Sequence, residues 1–155
     1  MAQEIERKFL VAGDDWRKEI HASHRMTQGY LNTEHHCSVR IRTCGEQAWL
    51  NIKSATIGSS RLEFEYGIPL QDALDMLESL RQGPLIEKVR HLVRYRDHLW
   101  EIDEFEGDNS ELIVAEIELS SPDEYFEKPA WLGQEVTEDI RYYNTQLSKH
   151  PFNSW

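Results

Sequence analysis

The sequence is poor in cysteine: Cys37 and Cys44 are the only two. They lie seven residues apart in one expected strand, and an odd spacing sends them to opposite faces. A local disulfide is therefore not expected, and without a Cys-x-x-Cys spacing neither is a thiolate zinc site. Apolar runs last only a few residues, far short of the ~20 that cross a membrane. The opening Met1-Ala2-Gln3-Glu4 lacks the apolar stretch of a secretory signal, so the expected location is the cytoplasm. Also absent are a Walker A loop, a Gly-rich dinucleotide loop and a Gly-x-Ser-x-Gly elbow. Positive charge is outnumbered: 17 Lys and Arg against 28 Asp and Glu leave a formal net charge of −11. Such a chain is a poor general binder of nucleic acid.

What is present suits one folded domain spanning residues 1–155, with 39% hydrophobic and 10% aromatic residues. No segment reads as a linker. Most segments read as strands: Glu4–Val11, His24–Leu31, Cys37–Thr43, Ala48–Ala55, Arg61–Ile68, Leu85–Arg96, His98–Phe105 and Leu112–Leu119. Cys44-Gly45-Glu46-Gln47 reads as a hairpin turn, as does Glu106-Gly107-Asp108-Asn109, and Thr56–Ser60 as a loop. Asp14–Glu19 reads as a short helical turn capped by Asp14. Apolar residues at 70, 73, 74, 77 and 80 predict a helix over Leu70–Arg81, ended by Gly83-Pro84. Ser121-Pro122-Asp123-Glu124 has the signature of a helix start, and Tyr142–Lys149 reads as a last helix stopped by Pro151. The class is α+β, mostly β: an open sheet or a closed antiparallel barrel.

Alternation favours the barrel. Residues two apart in a strand share a face. Glu4, Glu6 and Lys8 oppose Ile5, Arg7 and Phe9; Ser38, Arg40 and Arg42 oppose Val39 and Ile41; Asn51 and Lys53 oppose Leu50 and Ile52. Arg61, Glu63 and Glu65 oppose Leu62, Phe64 and Tyr66, and Lys88 shares a face with Arg90. Glu101 and Asp103 oppose Trp100 and Ile102, and Glu116 and Glu118 oppose Ala115 and Ile117. Any one such strand could be an ordinary half-solvated strand. Together they are sorted by sign. Leu74, Leu77, Leu80 and the Trp131 region need apolar partners, and the apolar strand faces supply them. The charged faces then turn to the interior of a barrel of about eight strands, wide enough for one small ligand. Carboxylates suit Mg²⁺ or Mn²⁺, and Arg and Lys suit phosphate oxygens. Both sets in one channel describe a site for a metal-complexed polyphosphate.

These residues resemble the CYTH superfamily, the triphosphate tunnel metalloenzymes. The likeness rests on Glu4-Ile5-Glu6-Arg7-Lys8, Gln28-Gly29-Tyr30-Leu31, Val39-Arg40-Ile41-Arg42, Ile52-Lys53 and Arg61-Leu62-Glu63-Phe64-Glu65. It continues through Glu87-Lys88-Val89-Arg90, Glu101-Ile102-Asp103, Ala115-Glu116-Ile117-Glu118 and Glu135–Tyr142. It implies a closed eight-stranded antiparallel tunnel with a few covering helices, hydrolysing a small-molecule triphosphate with Mg²⁺ or Mn²⁺. Inorganic triphosphate is the implied substrate; nucleoside or thiamine triphosphatase, class IV-type adenylate cyclase and a non-catalytic polyphosphate-binding module are the alternatives. By position, Lys8, Arg40, Arg42, Lys53, Lys88, Arg90 and Arg141 would hold phosphate. Glu4, Glu6, Glu116, Glu118 and Asp103 would hold metal, supported by Glu63 and Glu65, and Tyr30 would position Lys8. Ile140 stands where some relatives carry lysine. Nucleic-acid and membrane partners are not expected; a monomer and a homodimer both remain open. His35-His36 reads as a solvated loop pair, and Trp49, Trp100 and Trp131 as core or rim packing.

Overall fold

Period-two alternation becomes nine strands in the computed structural model, which describes residues 3–34 and 36–155. In chain order they are β1 (Gln3–Val11), β2 (Ile20–Glu34), β3 (Cys37–Cys44), β4 (Gln47–Ser54), β5 (Ser60–Ile68), β6 (Gln82–Tyr95), β7 (His98–Phe105), β8 (Ile113–Glu118) and β9 (Leu132–Glu135). Two α-helices accompany them, α1 (Leu70–Ser79) and the one-turn α2 (Asn144–Leu147). The strands pair antiparallel in the order β5-β4-β3-β2-β6-β7-β8-β1-β9, and β1 also pairs with β5. That last pairing closes eight strands into a barrel. Strand β1 makes closure possible by dividing one edge between two partners. Gln3–Ile5 pairs with β5, whereas Phe9 and Val11 pair with β9, and β8 takes the other edge. Closure leaves no long unpaired edge among these eight strands.

The apolar faces turn outward and are covered. On one side Ile5, Phe9, Trp100, Ile102 and Ile117 are buried beneath Trp16, Phe126 and Trp131. The ring of Trp100 meets Phe9, Phe126 and Trp131 edge-on, with centroids 5.6–5.8 Å apart. On the other side α1 lays Ala73 and Leu77 onto Ile41 and Ala48. Burying a leucine of this kind contributes ~1.5–3 kcal/mol. The approach is close: a Cβ on Gly29 of β2 would stand 2.8 Å from Leu77 Cδ2. The expected apolar face of this helix is narrower than its sequence spacing indicates, because Leu74 and Leu80 are exposed.

Several expected elements differ. Strand β2 runs 15 residues and β6 14, longer than their patterns. Gly83-Pro84 lies inside β6 rather than between elements, since Gly83 takes φ of 73° where the β2–β6 register shifts. No helix follows Ser121-Pro122-Asp123-Glu124. The Glu124 side chain does reach back, but to the N–H and hydroxyl of Ser120. The following segment is then spent carrying Phe126 and Trp131 into the core, with Pro129 between them. The Asp15–Glu19 turn forms as a 3-10 helix without a side-chain cap from Asp14. The last helix shrinks to α2, preceded by a 3-10 turn at Ile140–Tyr142. Both cysteines are free. His36 is an exposed turn residue, and His35 lies outside the described residues. Trp49 is half-buried, whereas Trp100 and Trp131 are core residues.

Candidate active site

Alternation delivers the charged residues of the strands to one interior cavity of about 230 Å³. Seven cations line it: Lys8, Arg40, Arg42, Lys53, Arg61, Lys88 and Arg90. Seven glutamates line it with them: Glu4, Glu6, Glu63, Glu65, Glu101, Glu116 and Glu118. Tyr30, Ser38, Asn51 and the tail residues Tyr143, Asn144 and Thr145 complete the wall. One end is stoppered. There the inward positions become apolar, and Tyr30, Ile86, Phe105, Leu112 and Val114 pack around Leu147 of α2.

The walls differ in how their charges are matched. Register across β1 and β8 sets Glu6 opposite Glu118 and Lys8 opposite Glu116. Lys8 Nζ donates to Glu6 at 2.7 Å and to Glu116 at 3.1 Å. Glu4 accepts from Lys53 at 3.2 Å and from Arg61 at 2.9 Å. On β6 and β7, fully buried Asp103 accepts from Lys88 Nζ at 2.7 Å and from Arg90 at 2.8 and 2.9 Å. The β3 wall is different. Among the described residues Arg40 and Arg42 form no ion pair, although Arg40 is only 6% exposed. Arg40 Nε is buried without a hydrogen-bond partner, and Arg42 Nε has the amide oxygen of Gln28 at 3.3 Å. Buried charge left uncompensated is costly, so this wall has the character of an anion site.

Proton affinities follow the same division. Burial disfavours the Arg42 charge, Arg40 and Arg90 add repulsion, and its pKa falls to about 9, which still leaves it a cation at neutral pH. Lys53 is lowered by burial and by Arg40 and Arg61. Lys88 is pushed down to about 7 by burial, against the pull of Asp103 and with the repulsion of Arg90 and Arg42. Burial works against the carboxylates too, but Lys53 and Arg61 hold Glu4 at about 2, and Lys8 and Arg90 hold Glu116 well below the usual range. Glu6 and Glu118 go the other way. Burial raises both, and neighbouring carboxylates raise them further: Glu116 beside Glu6, and Glu4 and Glu101 beside Glu118.

Opposed, over-basic carboxylates at Glu6 and Glu118 are suited to a divalent cation. Among the described residues no three acidic, histidine or cysteine side chains are gathered closely enough to form a complete cage. A small hard cation is commonly held by one or two carboxylates and completed by substrate phosphate and water.

Of the residues expected from sequence, Asp103 and Arg141 do not line the cavity. Asp103 is fully buried, with its oxygens taken by Lys88 and Arg90. Arg141 is exposed on the 3-10 turn, paired with Asp139 at 2.7 Å and stacked over Trp155. The exposed side chain of Ile140 belongs to the same turn. The ring over which Lys8 lies is that of Tyr143, 5.8 Å from Nζ, while Tyr30 both lines the cavity and packs in the apolar cluster around Leu147. Arg61 and Glu101 also line the cavity, on strand faces that alternation makes inward. Asn144 and Thr145 carry no periodic signal.

Comparison with known proteins agrees with this geometry. The CYTH domain family model matches residues 2–150. An inorganic triphosphatase of Acetivibrio thermocellus is 42% identical over 155 residues, covering 100% of this chain and 99% of that protein. An inorganic triphosphatase of Nitrosomonas europaea is 40% identical over 149 residues, covering 94% and 96%. A crystal structure of an inorganic triphosphatase superposes with a TM-score of 0.65 at 37% identity, over 96% of this chain and 95% of that one. With its closed barrel and charge-lined tunnel, the chain belongs to the CYTH domain family.

Proposed function

We propose that the protein hydrolyses inorganic triphosphate to pyrophosphate and phosphate with Mg²⁺ or Mn²⁺. The carrying observation is the β3 wall, where buried Arg40 and half-buried Arg42 lack carboxylate partners, facing a tunnel that also holds Glu6 and Glu118. Cavity size favours the inorganic substrate over a nucleotide. About 230 Å³ is smaller than the ~300–1,000 Å³ typical of sites for drug-sized ligands. The apolar cluster around Leu147 keeps a base or thiamine from lying at that end of the cavity. Intact carboxylates beside intact cations favour catalysis over a passive binding module. The names of the relatives point the same way.

In this reading Arg40, Arg42, Lys53, Lys88 and Arg90 bind phosphate oxygens and hold the chain for in-line attack. Phosphoryl transfer needs positioning and charge neutralisation more than covalent chemistry. Glu6 and Glu118 would hold the metal, which supplies charge neutralisation and an activated water. Glu4 and Glu116 serve mainly as counter-ions, Glu4 to Lys53 and Arg61 and Glu116 to Lys8. Asp103 fixes Lys88 and Arg90. Glu63 and Glu65 hold Asn51 at 3.0 and 3.1 Å and support the opposite wall. Residues 1–155 work as one domain, on a small molecule and without nucleic acid, and reduced Cys37 and Cys44 fit a cytoplasmic location. No helix among the described residues is long and apolar enough to cross a membrane.

The test is phosphate release from tripolyphosphate, ATP, thiamine triphosphate and pyrophosphate, each with Mg²⁺, with Mn²⁺ and with chelator. Turnover of tripolyphosphate that stops in chelator is expected. Release from ATP without release from tripolyphosphate would overturn the substrate; tight binding without turnover of any would turn the protein into a binding module.

A further inference from the structure

One hydrogen-bonded chain joins the tail of the molecule to two walls of the tunnel. Asn144, the first residue of α2, lines the cavity. Its amide oxygen accepts from Gln28 Nε2 at 2.8 Å and from Lys88 Nζ at 3.3 Å. Gln28 is fully buried, and its own amide oxygen lies 3.3 Å from Arg42 Nε. Lys88 is 1% exposed, and its other partner is Asp103 at 2.7 Å. A lysine ammonium has three donors on a flexible stem, so one carboxylate fixes its place but not its direction. Two acceptors at an angle fix both. The Gln28 amide is likewise committed at each end, so its orientation follows from Asn144 on one side and Arg42 on the other.

We propose that Asn144 is a positioning residue for the triphosphate reaction: its side-chain oxygen aims Lys88 directly, and Arg42 through Gln28, when the tail is seated. This rests on the reading of the tunnel as a triphosphate site. It makes the stopper more than an apolar plug. Leu147 holds the tail in the barrel end, and Asn144 converts that seating into the orientation of two cations on β3 and β6. Gln28 was part of the sequence resemblance without an assigned role, and the geometry gives it one as the link between Asn144 and Arg42.

The test is a double-mutant cycle between Asn144→Ala and Lys88→Met, with tripolyphosphate as the probe. Its binding is followed by calorimetry in chelator, and kcat/KM is measured in Mg²⁺. Losing one hydrogen bond to a charged group is expected to weaken binding about ten-fold in the Asn144→Ala protein. In the Lys88→Met background the same change is expected to cost less, about three-fold, because the direct target is gone and only the path through Gln28 to Arg42 remains. A loss equal in both backgrounds, or none in either, would overturn the inference while wild-type binding left the tunnel reading intact. Wild-type protein that neither binds nor hydrolyses tripolyphosphate would overturn both. If Asn144→Ala folds poorly by near-ultraviolet circular dichroism, Asn144→Ser carries the same cycle, since it withdraws the acceptor from Lys88 and keeps a polar residue at the start of α2.

Discussion

Replacing Arg40 with methionine is expected to make the ligand-free protein more stable and, at once, a weaker binder of triphosphate. Arg40 as a residue is 6% exposed, its guanidinium forms no ion pair among the described residues, and Nε is left without a partner. It also disfavours the charges of Arg42 and Lys53, whose pKa values it lowers. An uncompensated buried ion costs several kcal/mol. Water in the tunnel reduces that, so recovery of ~1–2 kcal/mol is expected on removing the charge while the methionine stem keeps the packing. In a chain of this length each kcal/mol moves Tm by ~2–4 °C, which gives a rise of about 2–8 °C. Against this, ~1.5–3 kcal/mol of charge-assisted hydrogen bonding to phosphate is lost. At ~1.4 kcal/mol per decade, affinity falls by ~10- to 150-fold. Scanning calorimetry in chelator, with and without tripolyphosphate, reads both effects. Ligand at 100 times the wild-type Kd stabilises wild type by ~2.7 kcal/mol and the variant by ~1.4 kcal/mol or less. A variant that melts below wild type and shows the full ligand-induced rise would refute the assignment of Arg40 as an anion-seeking charge.

Asp103→Asn is expected to do the reverse, leaving Lys88 and Arg90 buried without their counter-ion; breaking such a cluster costs ~3–5 kcal/mol, and urea unfolding showing a loss below ~1 kcal/mol would contradict it. Lys88, with a pKa of about 7, is charged below that pH and neutral above it, so metal-free affinity for tripolyphosphate should fall as pH rises through 7, and Lys88→Arg should flatten the profile. The sign for stability is opposite: between pH 7 and Lys88's ordinary value of 10.5, the unfolded chain binds the proton that the folded one sheds, so this contribution grows with pH. Glu118→Gln should raise the Mg²⁺ concentration needed for half-maximal turnover by about ten-fold, since it removes one of two over-basic carboxylates; an unchanged Mg²⁺ titration would remove Glu118 from the metal site. Gly29→Ala should cost ~1–3 kcal/mol by pressing its Cβ on Leu77, and an unaltered Tm would show that α1 can ride outward freely.

What could be read from sequence was whatever depends on period two alone. That Glu4, Glu6 and Lys8 share a face, as do Arg40 and Arg42, follows from the pleat of one strand, and the barrel keeps every such face inward. What could not be read depends on register between strands. Asp103 was legible as inward, but its role turns on lying opposite Arg90 in β6, two residues on from Lys88. That pairing takes up its oxygens and makes it an anchor for cations rather than an open carboxylate. The stopper was hidden for a related reason. Ile86, Phe105 and Val114 occupy the same inward positions as the charges, one step further along their strands, and period two cannot tell a lumen from its floor. Strand β9 is four residues without alternation, created by the free half-edge of β1 rather than by its own sequence. The tail residues Tyr143, Asn144 and Thr145 are non-periodic, and only the fold brings them to the site.

The overall charge also acquires a location. The tunnel lining carries seven positive and seven negative side chains. The net charge of −11 is therefore carried by residues outside the lining. On the proposed reading, a polyanion with the charge density of nucleic acid would meet that acidic exterior and be repelled. A triphosphate whose charge is partly neutralised by a divalent cation approaches at much lower cost. Inside, it would meet guanidiniums with no carboxylate partner and, at Glu6 and Glu118, carboxylates whose pKa is raised by burial and like charge. The same balance explains why the interior tolerates so many ions. Most of the lining cations are paired with carboxylates, whereas the unpaired ones among the described residues are Arg40 and Arg42 on β3. On the proposed reading, selectivity for a small metal-bound triphosphate would arise from where charge is left unmatched, more than from how much charge the protein holds.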